Sequence, residues 1–286
     1  MLRCRNFLVQ KKIKMPNVQR FAVLSDIHGN LCALQEVVNY IRKEDIPKVL
    51  ILGDLLTYGC EPNGVIALLK ELNDERCCIF IKGNHDQFYF DLTDGGDPFS
   101  YKMPEFVKES VIWTHDTCQY DLRSEFEWLD SYYESGCFFA HANPFEYGNW
   151  RYINSVSDHL AAAVKLNDLN YRVAFWGHTH RQKVALCRVE NNKVDSDPEI
   201  LDALQKQFSI NLKTDDNISI FNTGSIGQPR GVAPSFLNVN VCSQIINIDV
   251  IGLSYDSSAH IARINNSSMS LATKNQLISY FVKDNT

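Results

Sequence analysis

From Phe21 onward, short apolar runs alternate with stretches whose apolar residues recur at helical spacing, and this alternation constrains the fold more than any other feature. Phe21–Leu24 has the length and content of a buried strand, and Leu31, Leu34, Val38 and Ile41 then fall on one helical face. Asn30 stands where a helix N-cap is expected. Val49–Leu52 reads as a second strand, Val65, Leu68, Leu69 and Leu72 as a second helical face, and Cys78–Ile81 as a third strand. Strands separated by helices of this length predict β-α-β units and a largely parallel sheet.

The pattern then loosens. The segment from about Gln87 to Ser135 is rich in aromatics and is expected to form helices and loops over one end of the sheet, near the site. Cys137–Ala140 and Val173–Trp176 read as strands on either side of a helix over Ser157–Leu166. Beyond His180 the runs Val184–Val189, Ile218–Phe221, Phe236–Val241 and Ile245–Ile251 predict an antiparallel half. A single last helix would carry Leu271, Leu277, Ile278 and Phe281 on one face. With no repeat and no linker, residues 20–286 read as one domain with two sheets. Residues 1–19 read as a flexible basic extension, or as sequence upstream of a start at Met15.

Composition removes several classes of function. With 28 basic and 34 acidic residues the net charge is −6, a field that repels a phosphate-rich polymer, so a stable nucleic-acid partner is not expected. The longest apolar runs fall far short of the roughly 20 residues needed to cross a bilayer, so no membrane is expected either. Phe7-Leu8-Val9 is too short for the core of a secretory signal. The nine cysteines include no C-x-x-C pair, which argues against a thiolate metal site and a disulfide framework and for a reducing cytoplasm.

Five segments follow strand-like runs and present groups that bind hard or borderline cations: Asp26-Ile27-His28, Gly53-Asp54, Gly83-Asn84-His85-Asp86, His141, and Gly177-His178-Thr179-His180. In extended chain, residues two apart share a face, which pairs Asp26 with His28 and His178 with His180. Glycines at 29, 53, 83 and 177 would allow sharp strand exits. In open α/β sheets, sites form beyond the carboxyl ends of the strands, where all five segments would lie. Asp26, His28, Asp54, Asn84, His141, His178 and His180 make seven donors, one short of two four-donor sites, unless one carboxylate is shared; Asp54 is the natural bridge. Two ions roughly 3.5–4 Å apart can share a hydroxide whose pKa is drawn from about 15.7 towards about 7. An oxygen and nitrogen donor set of this kind suits Mn²⁺, Fe or Zn²⁺.

Taken in order, D-x-H, G-D, G-N-H-D, a lone His and G-H-T-H resemble the calcineurin-like metallophosphoesterase superfamily over most of the chain. Asn222-Thr223-Gly224-Ser225-Ile226-Gly227-Gln228-Pro229-Arg230 and Gly53–Gly59 resemble a branch of small bacterial-type members. A tetrapeptide such as G-N-H-D occurs by chance in about one chain in a thousand of this length, so two in order carry weight. The resemblance implies a sandwich of two mixed β-sheets flanked by helices and two divalent metal ions, Mn²⁺ first. Asp26, His28, Asp54 and His180 would hold one ion; Asp54, Asn84, His141 and His178 the other. His85 would serve the leaving group, with Asp86 as its orienting partner, and Arg230 would contact phosphate unless it pairs with a surface carboxylate.

The activity so implied is hydrolysis of small phosphate esters, with phosphodiesters or dinucleoside polyphosphates preferred and a nucleotide or other small molecule as partner. Two alternatives compete. Protein Ser/Thr phosphatases of the superfamily carry D-R-G after the second motif, where this chain has Leu56-Thr57-Tyr58-Gly59. A non-catalytic interaction module on the same fold would have lost ligands that this chain keeps. His115, His159 and His260 belong to no motif and are expected to be packing or surface residues.

Overall fold

Successive residues of a strand face opposite ways, so a strand covered on both sides feeds two separate cores. The computed structural model of the protein describes residues 18–99, 103–191 and 193–282. It runs through β1 (Val18–Leu24), α1 (Leu31–Lys43), β2 (Lys48–Ile51), α2 (Pro62–Glu75), β3 (Cys77–Ile81) and α3 (Asn84–Thr93). Next come α4 (Glu105–Thr117), α5 (Leu122–Glu125), β4 (Trp128–Leu129), β5 (Ser131–Glu134), β6 (Cys137–Ala140), α6 (Val156–Asp168) and β7 (Val173–Trp176). The remainder is β8 (Gln182–Cys187), β9 (Val189–Glu190), β10 (Lys193–Val194), β11 (Glu199–Asp202), β12 (Gln207–Asn211), β13 (Ile218–Thr223), β14 (Ser235–Cys242), β15 (Ile245–Gly252), α7 (Ser258–Asn266) and α8 (Leu271–Ile278). The basic segment at the N-terminus lies outside the described residues up to position 17.

Two mixed sheets result. One has seven strands in the order β12-β15-β14-β1-β2-β3-β4, the other six in the order β11-β8-β13-β7-β6-β5. β1 to β4 are parallel, and β14 adds to β1 in the antiparallel sense. In the second sheet β6, β7 and β13 are parallel, flanked by antiparallel β5 and β8. This is the expected pair of mixed sheets flanked by helices.

Alternation in β1 divides the core. Phe21 and Val23 face the second sheet, while Ala22 and Leu24 face the cluster that contains the buried sides of α1 and α2. Between the sheets Phe21 meets Phe139 edge-on, and Phe139 stacks on Phe175 at 5.1 Å, as their neighbouring register positions dictate. The outer face of the second sheet, including Phe138 and Trp176, packs on Ala162, Ala163 and Leu166 of α6. Burying each such aromatic or leucine contributes roughly 1.5–3 kcal/mol.

Two expectations need correction. The 87–135 segment is not only helix and loop: β4 extends the first sheet beside β3, and β5 edges the second beside β6. The expected last helix is α8, which starts at Leu271 where Ser270 caps it through Thr273 N–H and ends at Ile278, and a second helix that was not expected, α7, precedes it. Leu271 is consequently 72% exposed rather than on the buried face, and Phe281 lies past the helix end against His260. Cys77 and Cys78 open β3, the first half-buried and the second buried.

Candidate metal centre

The carboxyl ends of β1, β2, β3, β6 and β7 deliver their loops to one place. β1 supplies Asp26 and His28, β2 Asp54, β3 Asn84 and His85, β6 His141, and β7 His178 and His180. Two groups of donor atoms form there, each with its atoms within 4.8 Å of one another: Asp26, His28, Asp54 and His180, and Asp54, His141 and His178. All six of these residues are buried and Asp54 belongs to both groups. Asn84 joins the second group, its Oδ1 lying 3.1 Å from His141 Nε2.

Each imidazole is aimed by a backbone carbonyl. His28 Nδ1 contacts Leu56 O at 3.0 Å, His141 Nδ1 contacts Leu52 O at 2.7 Å, and His180 Nδ1 contacts Gln228 O at 2.7 Å. His178 uses its other nitrogen, Nε2, to reach Trp150 O at 2.9 Å. A carbonyl only accepts, so the nitrogen facing it carries a proton, and in a neutral ring the second nitrogen presents a lone pair inward. The inward nitrogens crowd together: His28 Nε2 to His180 Nε2 is 3.1 Å, and His141 Nε2 to His178 Nδ1 is 3.2 Å.

The carboxylates are held through one oxygen, while the other faces imidazole nitrogens: Asp26 Oδ1 lies 3.2 Å from His180 Nε2 and Asp54 Oδ2 3.4 Å from His141 Nε2. Asp26 Oδ2 accepts from His178 N–H at 2.9 Å and Asp54 Oδ1 from His85 N–H at 2.8 Å. Asp26 Oδ1 and Asp54 Oδ2 are buried without a hydrogen-bond partner among the described residues. A buried anionic oxygen without a partner costs several kcal/mol, which a cation would offset. The donors are oxygen and nitrogen without thiolate, so the residues fit a divalent metal ion.

Burial sets the protonation states. It pushes His178 down to about 3 and His180 down to about 4, keeping both neutral, the form able to bind a metal ion. Burial also opposes charge on His141, but Asp54 beside it wins and pushes that group up to about 9. A proton on His141 there takes the place of a cation, and metal binding would displace it.

The backbone of the site is strained where the chemistry sits. Asp26, His28, Asp54, His178 and His180 have φ between 47° and 63°, a left-handed conformation uncommon for residues other than glycine. The sharp exits are thus made partly by the ligand residues themselves. At Gly83 the need is space instead, since a Cβ would lie 2.2 Å from Asp54 Oδ1.

Several residues escaped the sequence reading. Asp86 does not orient His85: its carboxylate accepts from the N–H groups of Gly83 at 2.8 Å, Asp54 at 2.7 Å and Leu55 at 3.0 Å, locking the Asp54 turn. His85 instead meets the Tyr58 hydroxyl, 3.2 Å from its Nε2. Ser225 Oγ donates to Asp26 O at 2.8 Å, so the 224–230 loop braces the first ligand turn. Arg230 pairs with no carboxylate among the described residues; its guanidinium lies beside the hydroxyl of Tyr152 and close to Tyr58 and Tyr280. Of the histidines outside the motifs, His159 and His260 are buried and His115 is exposed, away from the cluster.

Two β-sheets meeting at a buried Asp/His cluster define a protein of the metallophosphoesterase type. A family model for calcineurin-like phosphoesterases matches residues 19–182, and the chain belongs to that family. It is 28% identical over 246 residues to the uncharacterized protein MJ0912 of Methanocaldococcus jannaschii, covering 82% of this chain and 87% of that one. Its fold is similar to a metallophosphoesterase from Sphaerobacter thermophilus, with a TM-score of 0.66 at 21% identity, over 91% of this chain and 98% of the other. The hypothetical protein PH1004 from Pyrococcus horikoshii is similar as well, with a TM-score of 0.66 at 18% identity over 90% of this chain and 97% of its own. Among the described residues no helix is long and apolar enough to cross a membrane.

Proposed function

We propose that the protein hydrolyses small phosphate esters with the help of two divalent ions, Mn²⁺ before Fe or Zn²⁺, and that phosphodiesters or dinucleoside polyphosphates are its preferred substrates. The observation that carries this reading is the Asp54 carboxylate common to two groups of donor atoms, its buried Oδ2 accepting no hydrogen bond among the described residues and facing His141 Nε2 at 3.4 Å. Asp26, His28, Asp54 and His180 would hold one ion, and Asp54, Asn84, His141 and His178 the other. Such a pair, when bound, supplies a nucleophile at neutral pH and offsets charge on the phosphoryl oxygens.

The chain's own groups do the rest. Among the described residues His85 Nδ1 is buried without a hydrogen-bond partner while Nε2 meets Tyr58, so the ring is fixed beside the donor groups and serves the departing oxygen. An alkoxide is a poor leaving group, and a positioned proton donor is worth roughly 10²–10⁴-fold to it. Arg230, whose Nε has no partner among the described residues either, reaches a phosphoryl oxygen. The eight described cysteines are unbridged, which supports a reducing cytoplasm as the place of work.

Metal analysis and a diester assay test this together. The purified protein should carry about two Mn²⁺ per chain and cleave bis(4-nitrophenyl) phosphate. Asp54→Ala should lose both metal and activity, whereas His85→Ala should keep the metal and lose about 10²-fold or more in kcat. A chain that takes up no divalent metal and cleaves no ester overturns the reading.

A further inference from the structure

The loop between β6 and α6 carries three aromatic side chains in six residues, Tyr147, Trp150 and Tyr152, none of which the assigned chemistry uses. All three lie along one side of the metal centre. Tyr152 stacks on the His178 ring at 4.3 Å and 13°, Trp150 meets His141 edge-on at 5.8 Å, and Tyr147 meets Trp150 edge-on at 5.0 Å.

The loop is built to hold them there. Asn143 Nδ2 donates to Asn149 O at 2.7 Å and to Arg151 O at 3.1 Å, and the Tyr147 hydroxyl donates to Gln87 Oε1 at 2.8 Å. Lys82 Nζ sits 4.3 Å from the Tyr147 ring centroid. Yet Tyr152 is 44% exposed although His178 covers one of its faces, so its other face is open. Packing alone gives no reason to leave a flat aromatic face uncovered next to a row of metal ligands. Beside the Tyr152 hydroxyl lies the guanidinium of Arg230, which meets no carboxylate and whose Nε has no partner among the described residues. An exposed ring next to a cation without a counter-charge there is complementary to a ligand that is flat at one end and anionic at the other.

We propose that Tyr152 is the stacking platform of a substrate subsite, taking a planar aromatic group, a nucleobase above all, that stays on the phosphate while Arg230 holds the phosphoryl group. This rests on the hydrolytic reading above and narrows it to esters bearing an aromatic or nucleoside substituent. Stacking of a base on an aromatic side chain is sequence-tolerant and strong enough to set substrate preference.

The test uses the Mn²⁺-loaded protein and three diesters with one leaving group: the 4-nitrophenyl esters of thymidine 5′-phosphate, phenyl phosphate and methyl phosphate. The metals, Arg230 and the leaving group are common to all three, so ratios of kcat/KM isolate the retained group. Wild type should favour the thymidine over the methyl ester by about tenfold or more; Tyr152→Ala should cut that ratio about tenfold, and Tyr152→Phe should keep it. A parallel fall for the phenyl ester means any flat ring is taken, and a fall for thymidine alone means a nucleobase; either supports the platform. Unchanged ratios in Tyr152→Ala overturn it. Should wild type cleave none of the three, the hydrolytic reading has failed and calorimetry decides the platform by itself. AMP should then bind about tenfold tighter than ribose 5-phosphate to wild type and equally to Tyr152→Ala; equal binding of the two by wild type overturns the proposal.

Discussion

Tyr58 is a bulky residue held at a φ of 66°, in the region that costs an aromatic side chain roughly 1–3 kcal/mol. Ser110 Oγ in α4 pins it there by accepting from its N–H at 2.7 Å. The result is a buried hydroxyl 3.2 Å from His85 Nε2 and a ring packed on Phe106 and His28. Removing only the oxygen therefore isolates the contact to His85 without opening a cavity. Tyr58→Phe is expected to lower kcat about tenfold with KM changed less than twofold and the bound metal unchanged, read by steady-state kinetics beside metal analysis. Undiminished kcat would mean that this hydroxyl does not position His85. At this scale the donors themselves were legible in the sequence, because Asp, Asn and His at strand ends are the side chains the chemistry demands. What aims them was not: Leu52, Leu56, Trp150 and Gln228 act through backbone carbonyls, which every residue possesses. Asp86 shows the opposite failure, since adjacency to His85 in sequence pointed to a contact that its three backbone N–H partners preclude.

The 224–230 loop is the element on which two of the three turns of the first donor group rest. Ile226 N–H and Gly227 N–H donate to Ser25 O and Asp26 O at 3.2 Å and 3.0 Å, and Gln228 O holds His180. Gly227 is required by closeness rather than by φ: a Cβ there would stand 1.7 Å from Ile27 O, a backbone atom that cannot swing aside. Gly227→Ala should therefore shift the loop, cost about 2 kcal/mol or more, and weaken Mn²⁺ binding through His180. A thermal melt lowered by roughly 4–8 °C together with a Mn²⁺ titration checks this, and an unaltered melt would show that the loop yields freely. Elements whose burial is two-sided were readable: Val173–Trp176, buried throughout, is β7 to the residue. Strands β4 and β9 to β12 were not, being two to five residues long and largely half-exposed, so they carry neither an apolar run nor a clean alternation. Helix α7 was not legible either, since only His260 and Ile264 of its nine residues are buried and no apolar periodicity marks it.

Neither sheet contains a complete donor set. The first sheet delivers Asp26, His28, Asp54 and Asn84, and the second delivers His141, His178 and His180, so each of the two donor groups is shared between sheets. The phenylalanines between the sheets fasten them through apolar contact, whereas the carboxyl end of the same interface holds two anionic oxygens that accept no hydrogen bond among the described residues, beside closely spaced imidazoles. Without a cation that end of the interface opposes the packing behind it; with one it becomes a crosslink between the layers. Ligand that binds only the folded chain stabilises it by about 2.7 kcal/mol at a hundredfold excess over its Kd. The melting temperature should accordingly rise by about 5 °C or more when EDTA-treated protein is given saturating Mn²⁺, and Asp54→Asn, which removes the shared carboxylate charge from both groups, should abolish most of that rise. Differential scanning calorimetry across a Mn²⁺ titration provides the measurement. If the melt of wild type were the same with Mn²⁺ as with EDTA, the two sheets would be joined by their apolar interface alone.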